Sequence, residues 1–273
     1  MGGTITTRRT RGTDGRGGPG HVLSGVAVAI GFALFLGGFV WGALVYRPYT
    51  VPTDSMAPTV RPGDRVLAER IDGGEVRRGD VVVFTDSQWS DSPMVKRVVG
   101  IGGDTVKCCG AGGELTVNGT ALDESYIDRA APAAGGAAGT DPAAGTAPAP
   151  PSLTPPATGT PFEVTVPEGN LFLLGDRRNA SVDSRAHLQE AGQGTVPRSA
   201  VQARVDALVW PSPTAVERPG TYAALPGGTS RPGPLRLQLA AVLGGAALVL
   251  LGSAYGPLVR LLGRGRRERA GVR

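Results

Sequence analysis

Histidine, lysine and cysteine are all but missing from this chain of 273 residues, and each shortage removes a kind of chemistry. The only cysteines, Cys108 and Cys109, are adjacent, which is not the spacing of a zinc site. Neighbours in sequence close only a strained ring, so a vicinal disulfide, an intermolecular one and two free thiols all stay open. The histidines are His21 and His187, and a serine–histidine–aspartate arrangement outside the N-terminal region rests on His187 alone, in "DSRAHLQE". A structural histidine suits that setting better. The lysines are Lys96 and Lys107; all other basic residues are arginine, whose guanidinium stays protonated at any relevant pH. Glycine and proline, by contrast, make up about a quarter of the chain, too much for a wholly globular protein.

The formal net charge of +5 suggests nucleic acid until the charges are located. Residues 1–20 carry four arginines against Asp14, and residues 256–273 carry six against Glu268, which leaves 18 basic and 21 acidic residues between. The basic character belongs to the tails, and no nucleic-acid partner is expected.

Inside the tails lie two apolar runs. The first, residues 22–46, "VLSGVAVAIGFALFLGGFVWGALVY", has no charge and is too long for the apolar core of a signal peptide, about 7–15 residues. It reads as a retained transmembrane helix, long enough at 1.5 Å per residue to cross a hydrocarbon layer of roughly 30 Å. The second, residues 236–255, carries "LQLAAVLGGAALVLLGSAY" and reads as another span, a buried hairpin helix being the alternative. Arginines flank the outer end of both. The positive-inside rule then puts the tails 1–21 and 256–273 in the cytoplasm and the middle outside, in a multi-pass protein of the cell membrane. With that topology His21 sits on the wrong side to serve the middle.

Residues 47–129 hold short β-branched runs between turn signals: "DRVLAERI", "GDVVVFT", "MVKRVVGI", "DTVKC" and "ELTVNGTAL", the last with the Asn118-Gly119 turn pair. No long amphipathic helix is expected there. Residues 130–160, rich in Ala, Gly, Pro and Thr, are expected to be a disordered insert. Strand patterns return over 161–212, in "FEVTVPEGNLFLLGD" and "VQARVDALVW", so the insert interrupts one β domain. Residues 213–235 read as a linker. The fold class is mainly β: an antiparallel, barrel-like sheet domain between two transmembrane helices.

Ser55 stands in "VPTDSMAPTV", just outside the first span, either as a polar residue in a rigid turn or as a nucleophile. Lys96 stands in the strand "PMVKRVVGI", where alternation puts Met94, Lys96 and Val98 on one face. Desolvated there, its ammonium could lose a proton, which no arginine could do. An exposed strand lysine fits the local pattern equally well.

Four stretches in order, "SMAPTV", "RPGDRVLAER", "GDVVVF…VKRVVGIGGD" and "LGDRRNASVDSR", resemble the bacterial type I signal peptidases, membrane-bound proteases using a serine–lysine pair. The resemblance implies that Ser55 is the nucleophile and Lys96 the general base. It implies that Ser181 hydrogen-bonds the lysine amine, and that Thr53 helps bind the oxyanion with the Ser55 N–H. Asp176 would pair with Arg97 and Asp183 with Arg185, as support. Tyr49, Val51, Pro52, Met56, Val60, Met94 and Val95 would line shallow apolar subsites for small side chains. No metal or cofactor is implied; the partners are exported preproteins with signal peptides, membrane lipid and, by proximity, the protein-export channel. One departure is Arg177, where many members have asparagine.

Pro52 and Pro58 fix φ near −65° and reduce the freedom of the nucleophile loop. Only about nine residues join Tyr46 to Ser55, a reach of at most ~30 Å, which keeps the serine close to the outer leaflet. Two other readings compete: a self-cleaving serine–lysine protease of related fold, and a non-catalytic, membrane-anchored β domain that binds a partner.

Overall fold

The structure, a computed structural model, describes residues 19–109, 114–127 and 161–270. The basic N-terminal tail and the insert of 130–160 lie outside the described residues. In chain order the elements are helix α1 (Pro19–Val45), strands β1 (Tyr46–Thr50), β2 (Arg65–Glu69), β3 (Val81–Asp86), β4 (Ser90–Ile101), β5 (Thr105–Cys108), β6 (Leu115–Val117), β7 (Thr120–Ala121), β8 (Phe162–Thr165), β9 (Asn170–Leu174), β10 (Thr195–Pro197), β11 (Val201–Trp210) and β12 (Thr214–Ala215), the single turn α2 (Gly220–Ala223) and helix α3 (Leu235–Ala270). The fold is mainly antiparallel β, as expected, with a helix apolar enough to span a membrane at either end.

The strands form two sheets. One runs β1-β2-β11-β3-β4-β9-β10, with β12 on β11; the other runs β7-β6-β5-β8. Strand β3 shows why the first sheet holds. It is central, its first four residues are buried, and its alternation divides them between the faces. Val81 and Val83 join Val51, Met56, Val60, Val66 and Val205 on one side, whereas Val82 and Phe84 join Val98, Leu171 and Leu173 on the other. A strand covered on both faces needs an unbroken apolar run, which "VVVF" supplies. A third cluster, around Val99, Val106, Val117, Phe172 and Tyr222, lies under the second sheet.

Asn118 and Gly119 have φ of 52° and 77° and close the β6–β7 hairpin, the double positive φ that this turn pair tolerates best. Strands from both sides of the insert pair directly, β8 with β5 and β9 with β4. Cys108 and Cys109 are disulfide-bonded to each other.

Three boundaries differ from the sequence reading. The first apolar run ends at Val45, and Tyr46 opens β1, which lies at the edge of its sheet, where Pro48 costs no ladder hydrogen bond. Helix α3 continues past Tyr255 to Ala270, because arginine, leucine and alanine favour helix whether or not they are apolar. Residues 213–235 are not a free linker: Val216, Tyr222 and Leu225 are buried in the cores. Polar ties hold the same segment, since Arg218 donates to Asp80 at 2.9 Å and to Asp206 at 3.0 Å. The Pro/Gly-rich composition hid three well-spaced apolar anchors.

Helices α1 and α3 form a compact unit of their own. Their contact runs along a seven-residue repeat: Ser24, Gly31 and Gly38 on one helix, Gln238, Gly245 and Gly252 on the other. Ser24 Oγ donates to the Gly252 carbonyl at 2.6 Å, and a Cβ on Gly31 would come within 2.8 Å of the Gly245 carbonyl. Small residues let helix backbones approach closely where no hydrophobic effect drives them together. We expect Gly31→Leu to part the pair. Oxidative cross-linking of a Ser24→Cys, Gly252→Cys variant in membranes checks this, with yield falling several-fold when the leucine is added.

Candidate active site

Ser55 lies on the loop between β1 and β2. The loop is closed at its base by Val51 N–H donating to the Asp64 carbonyl at 2.9 Å and Gly63 N–H to the Val51 carbonyl at 2.8 Å. Val51, Met56 and Val60 are buried in the core, which burial drives at about 1.5–3 kcal/mol per such side chain. These three were expected to line substrate subsites and do not: at 0–2 % exposure they offer no surface and instead anchor the loop. Of the apolar set, Tyr49, Pro52, Met94 and Val95 keep exposed area.

Lys96 comes from the middle of β4, where the strand passes from exposed to buried residues. Its Nζ donates to Ser55 Oγ at 2.8 Å, and the two residues are 5 % and 7 % exposed. Thr53 Oγ1 lies 3.3 Å from the same oxygen. Ser181 differs from expectation. It is fully buried, and the lysine amine donates to Ser55 with no hydrogen bond to the Ser181 hydroxyl. The space between them is set by Gly175, where any Cβ would fall onto the Ser181 hydroxyl and the Ser55 carbonyl. Only glycine lets the end of β9 pass so close to the Ser55 loop.

Two ion pairs stand behind the lysine. Arg97 grips Asp176 with both ends of its fork, Nε to Oδ1 at 2.8 Å and Nη2 to Oδ2 at 2.7 Å, and Thr59 Oγ1 donates to Oδ2 at 2.6 Å. The Arg97 guanidinium also lies 4.7 Å from the centre of the Tyr126 ring. Arg185 grips Asp183 in the same way at 2.9 and 2.8 Å, and Gly175 N–H donates to Asp183 at 3.0 Å. Burial opposes the Asp183 charge, but the hydrogen bonds and charge of Arg185, with the Gly175 N–H, prevail and hold its carboxyl below the usual range.

The electrostatics of Lys96 follow. Burial pushes its amine down from the ordinary lysine value, whereas the Asp183 and Asp176 carboxylates pull it up and Arg185 pushes it down again. Each carboxylate already has its own arginine, so neither acts as a full counter-ion for the lysine. Burial prevails, and the amine is held below the ordinary lysine value, so it gives up its proton more readily than an exposed lysine.

His187 is occupied elsewhere: its Nδ1 is 2.6 Å from Glu190 Oε1, and its ring stacks on Trp89 at 4.4 Å. Among the described residues no group of three or more histidine, cysteine or acidic side chains could hold a metal ion. Sequence reasoning missed Thr59, Tyr126 and Asp54. Tyr126 carries no local signal, being brought over Arg97 from a distant part of the chain. Asp54 pairs with Arg177, the residue singled out above as a departure.

A sequence profile for the family described as "Signal peptidase, peptidase S26" matches residues 23–210. The chain is 31 % identical over 233 residues to signal peptidase I of Mycobacterium tuberculosis, covering 70 % of this chain and 71 % of that one. It is 30 % identical over 188 residues to signal peptidase IB of Staphylococcus aureus, covering 68 % and 87 %. A crystal structure of a signal peptidase I from Enterococcus faecalis aligns with a TM-score of 0.32 at 26 % identity, covering 47 % of this chain and 94 % of that one. The family profile and the two sequence relatives define a peptidase. The chain belongs to the signal peptidase family, peptidase S26, and resembles its type I members.

Proposed function

We propose that this peptidase removes N-terminal signal peptides from exported preproteins, with Ser55 as nucleophile and Lys96 as general base. One observation carries the reading: a lysine amine 2.8 Å from a serine hydroxyl, both buried, the amine made less basic by burial. A serine hydroxyl is a weak nucleophile unless a base takes its proton during attack. The neutral Lys96 amine accepts that proton while Ser55 Oγ bonds to the scissile carbonyl carbon, then delivers it to the departing amine as the C–N bond breaks. Water, deprotonated by the same lysine, hydrolyses the ester, and the serine regains its proton. The oxyanion is met by the Ser55 N–H and the Thr53 hydroxyl, a donor of that kind being worth about 3–4 kcal/mol of barrier. Arg97 with Asp176 and Arg185 with Asp183 support the lysine without touching substrate. The apolar edge formed by Tyr49, Pro52, Met94 and Val95 suits small side chains before the cleavage point.

The two apolar helices make this a membrane-anchored protein in the same reading. Arginine-rich tails at both outer ends favour cytoplasmic termini and an extracytoplasmic catalytic domain. Ser55→Ala should abolish cleavage of an added preprotein in membranes or detergent while the protein stays folded. Retained cleavage would sink the assignment. Shortening of the chain itself with the precursor left intact would mark a self-processing protease instead.

A further inference from the structure

The nucleophile loop is anchored in the core through Val51, Met56 and Val60, but the backbone at Ser55 is held from a different direction. Asp176 and Arg177 follow β9 and are consecutive, yet they grip opposite parts of that loop. Asp176 takes Thr59 and Arg97 on the buried side. Arg177 takes the other: its backbone N–H donates to the Ser55 carbonyl at 3.0 Å, and its guanidinium Nη1 donates to the Asp54 carboxylate. Both side chains are open to solvent, at 36 % and 46 % exposure, so the pair contributes little to global stability.

We propose that the Arg177–Asp54 ion pair is a positioning clasp for Ser55, holding its hydroxyl at the Lys96 amine, so that the rate of attack depends on an exposed salt bridge. The proposal rests on the serine–lysine reading above. Asp54 immediately precedes the nucleophile and its carbonyl accepts from Ala57 N–H at 2.9 Å, so the turn containing Ser55 moves as a unit with the carboxylate. A displacement of about 1 Å at a reacting atom can cost ~10²-fold in rate, whereas an exposed ion pair barely changes the folding equilibrium. The guanidinium makes a single-point contact, since Nε has no partner. A lysine at 177 can satisfy that contact as well as arginine does, because it needs a charge and not a fork.

The test is steady-state cleavage of a preprotein by the full-length enzyme in detergent, with Ser55→Ala measured alongside. Arg177→Ala and Asp54→Ala are each expected to lower kcat about tenfold with KM within about twofold and the unfolding midpoint nearly unchanged. The double variant should be no slower than either single one, and Arg177→Lys should keep most of the rate. The reciprocal exchange, Asp54→Arg with Arg177→Asp, should recover part of it. At 1 M salt the parent should slow towards the variants while the variants stay as they were, because screening acts on the exposed pair. Parent-like kcat in both alanine variants, with Ser55→Ala dead, would overturn the clasp and leave the dyad standing. A rise in KM alone would overturn it too, since that marks a substrate contact, and so would losses that multiply in the double variant. Parent-like cleavage by Ser55→Ala would remove the clasp and the dyad together.

Discussion

Lys96→Met should stop precursor cleavage, a loss of about 10³-fold or more in kcat, and should make the folded protein more stable at neutral pH. Methionine fills nearly the same volume without an amine, so the core keeps its packing while Ser55 loses the base that the proposed mechanism assigns to it. Lys96→Arg should fail as well: guanidinium does not deprotonate, and the wider charged group enters a site that is 5 % exposed. The pH profile follows from the same cause. Because burial lowers the Lys96 pKa, the acidic limb of kcat/KM in the parent should fall below pH 10.5, with rate lost as pH drops and the amine protonates. The stability effect has the opposite origin from a stabilising ion pair. Between the lowered folded value and 10.5, the unfolded chain holds a proton that the native protein does not, so parent stability rises with pH across that window. The methionine variant lacks this penalty, and its advantage should shrink as pH approaches 10.5. Urea midpoints measured from pH 7 to 10 check the stability claim, and an acidic limb at the ordinary lysine value would contradict the mechanism.

Asp176→Ala should cost about 3–5 kcal/mol of stability, because it leaves the Arg97 guanidinium buried without a counter-charge. Arg97 and its partner are each 1 % exposed at the side chain, so water cannot replace the lost carboxylate. Thr59 loses its acceptor in the same substitution, which loosens the loop that carries Ser55, and activity should fall with stability. The double variant Asp176→Ala, Arg97→Met should regain much of the loss, since removing both charges also removes the unpaired one. Chemical denaturation with an unchanged m-value tests both statements. A single variant within about 1 kcal/mol of the parent would contradict them.

Much of the β domain was legible in local pattern. "VVVF" read as a strand and Asn118-Gly119 as a turn, because each rests on residue type or backbone φ within a few residues. Segment 213–235 was misread for the complementary reason: Val216, Tyr222 and Leu225 look unremarkable among prolines and glycines until the cores that receive them exist. The subsite residues show the same limit. Val51, Met56 and Val60 are apolar and close to Ser55 in sequence, but whether such a side chain meets substrate or core depends on which way the loop turns.

What the residue order settled was the inventory: two runs long and apolar enough to span a bilayer, a strand-rich middle, one serine after the first run and one lysine in an apolar strand. Those properties are carried by composition and short-range spacing. The resemblance implied that Ser55 meets Lys96, 41 residues away, but the 2.8 Å contact between them came from the folded chain. Register between β3, β4 and β9 and the close pass at Gly175 fix that distance, and proton transfer depends on ångströms that no local pattern encodes.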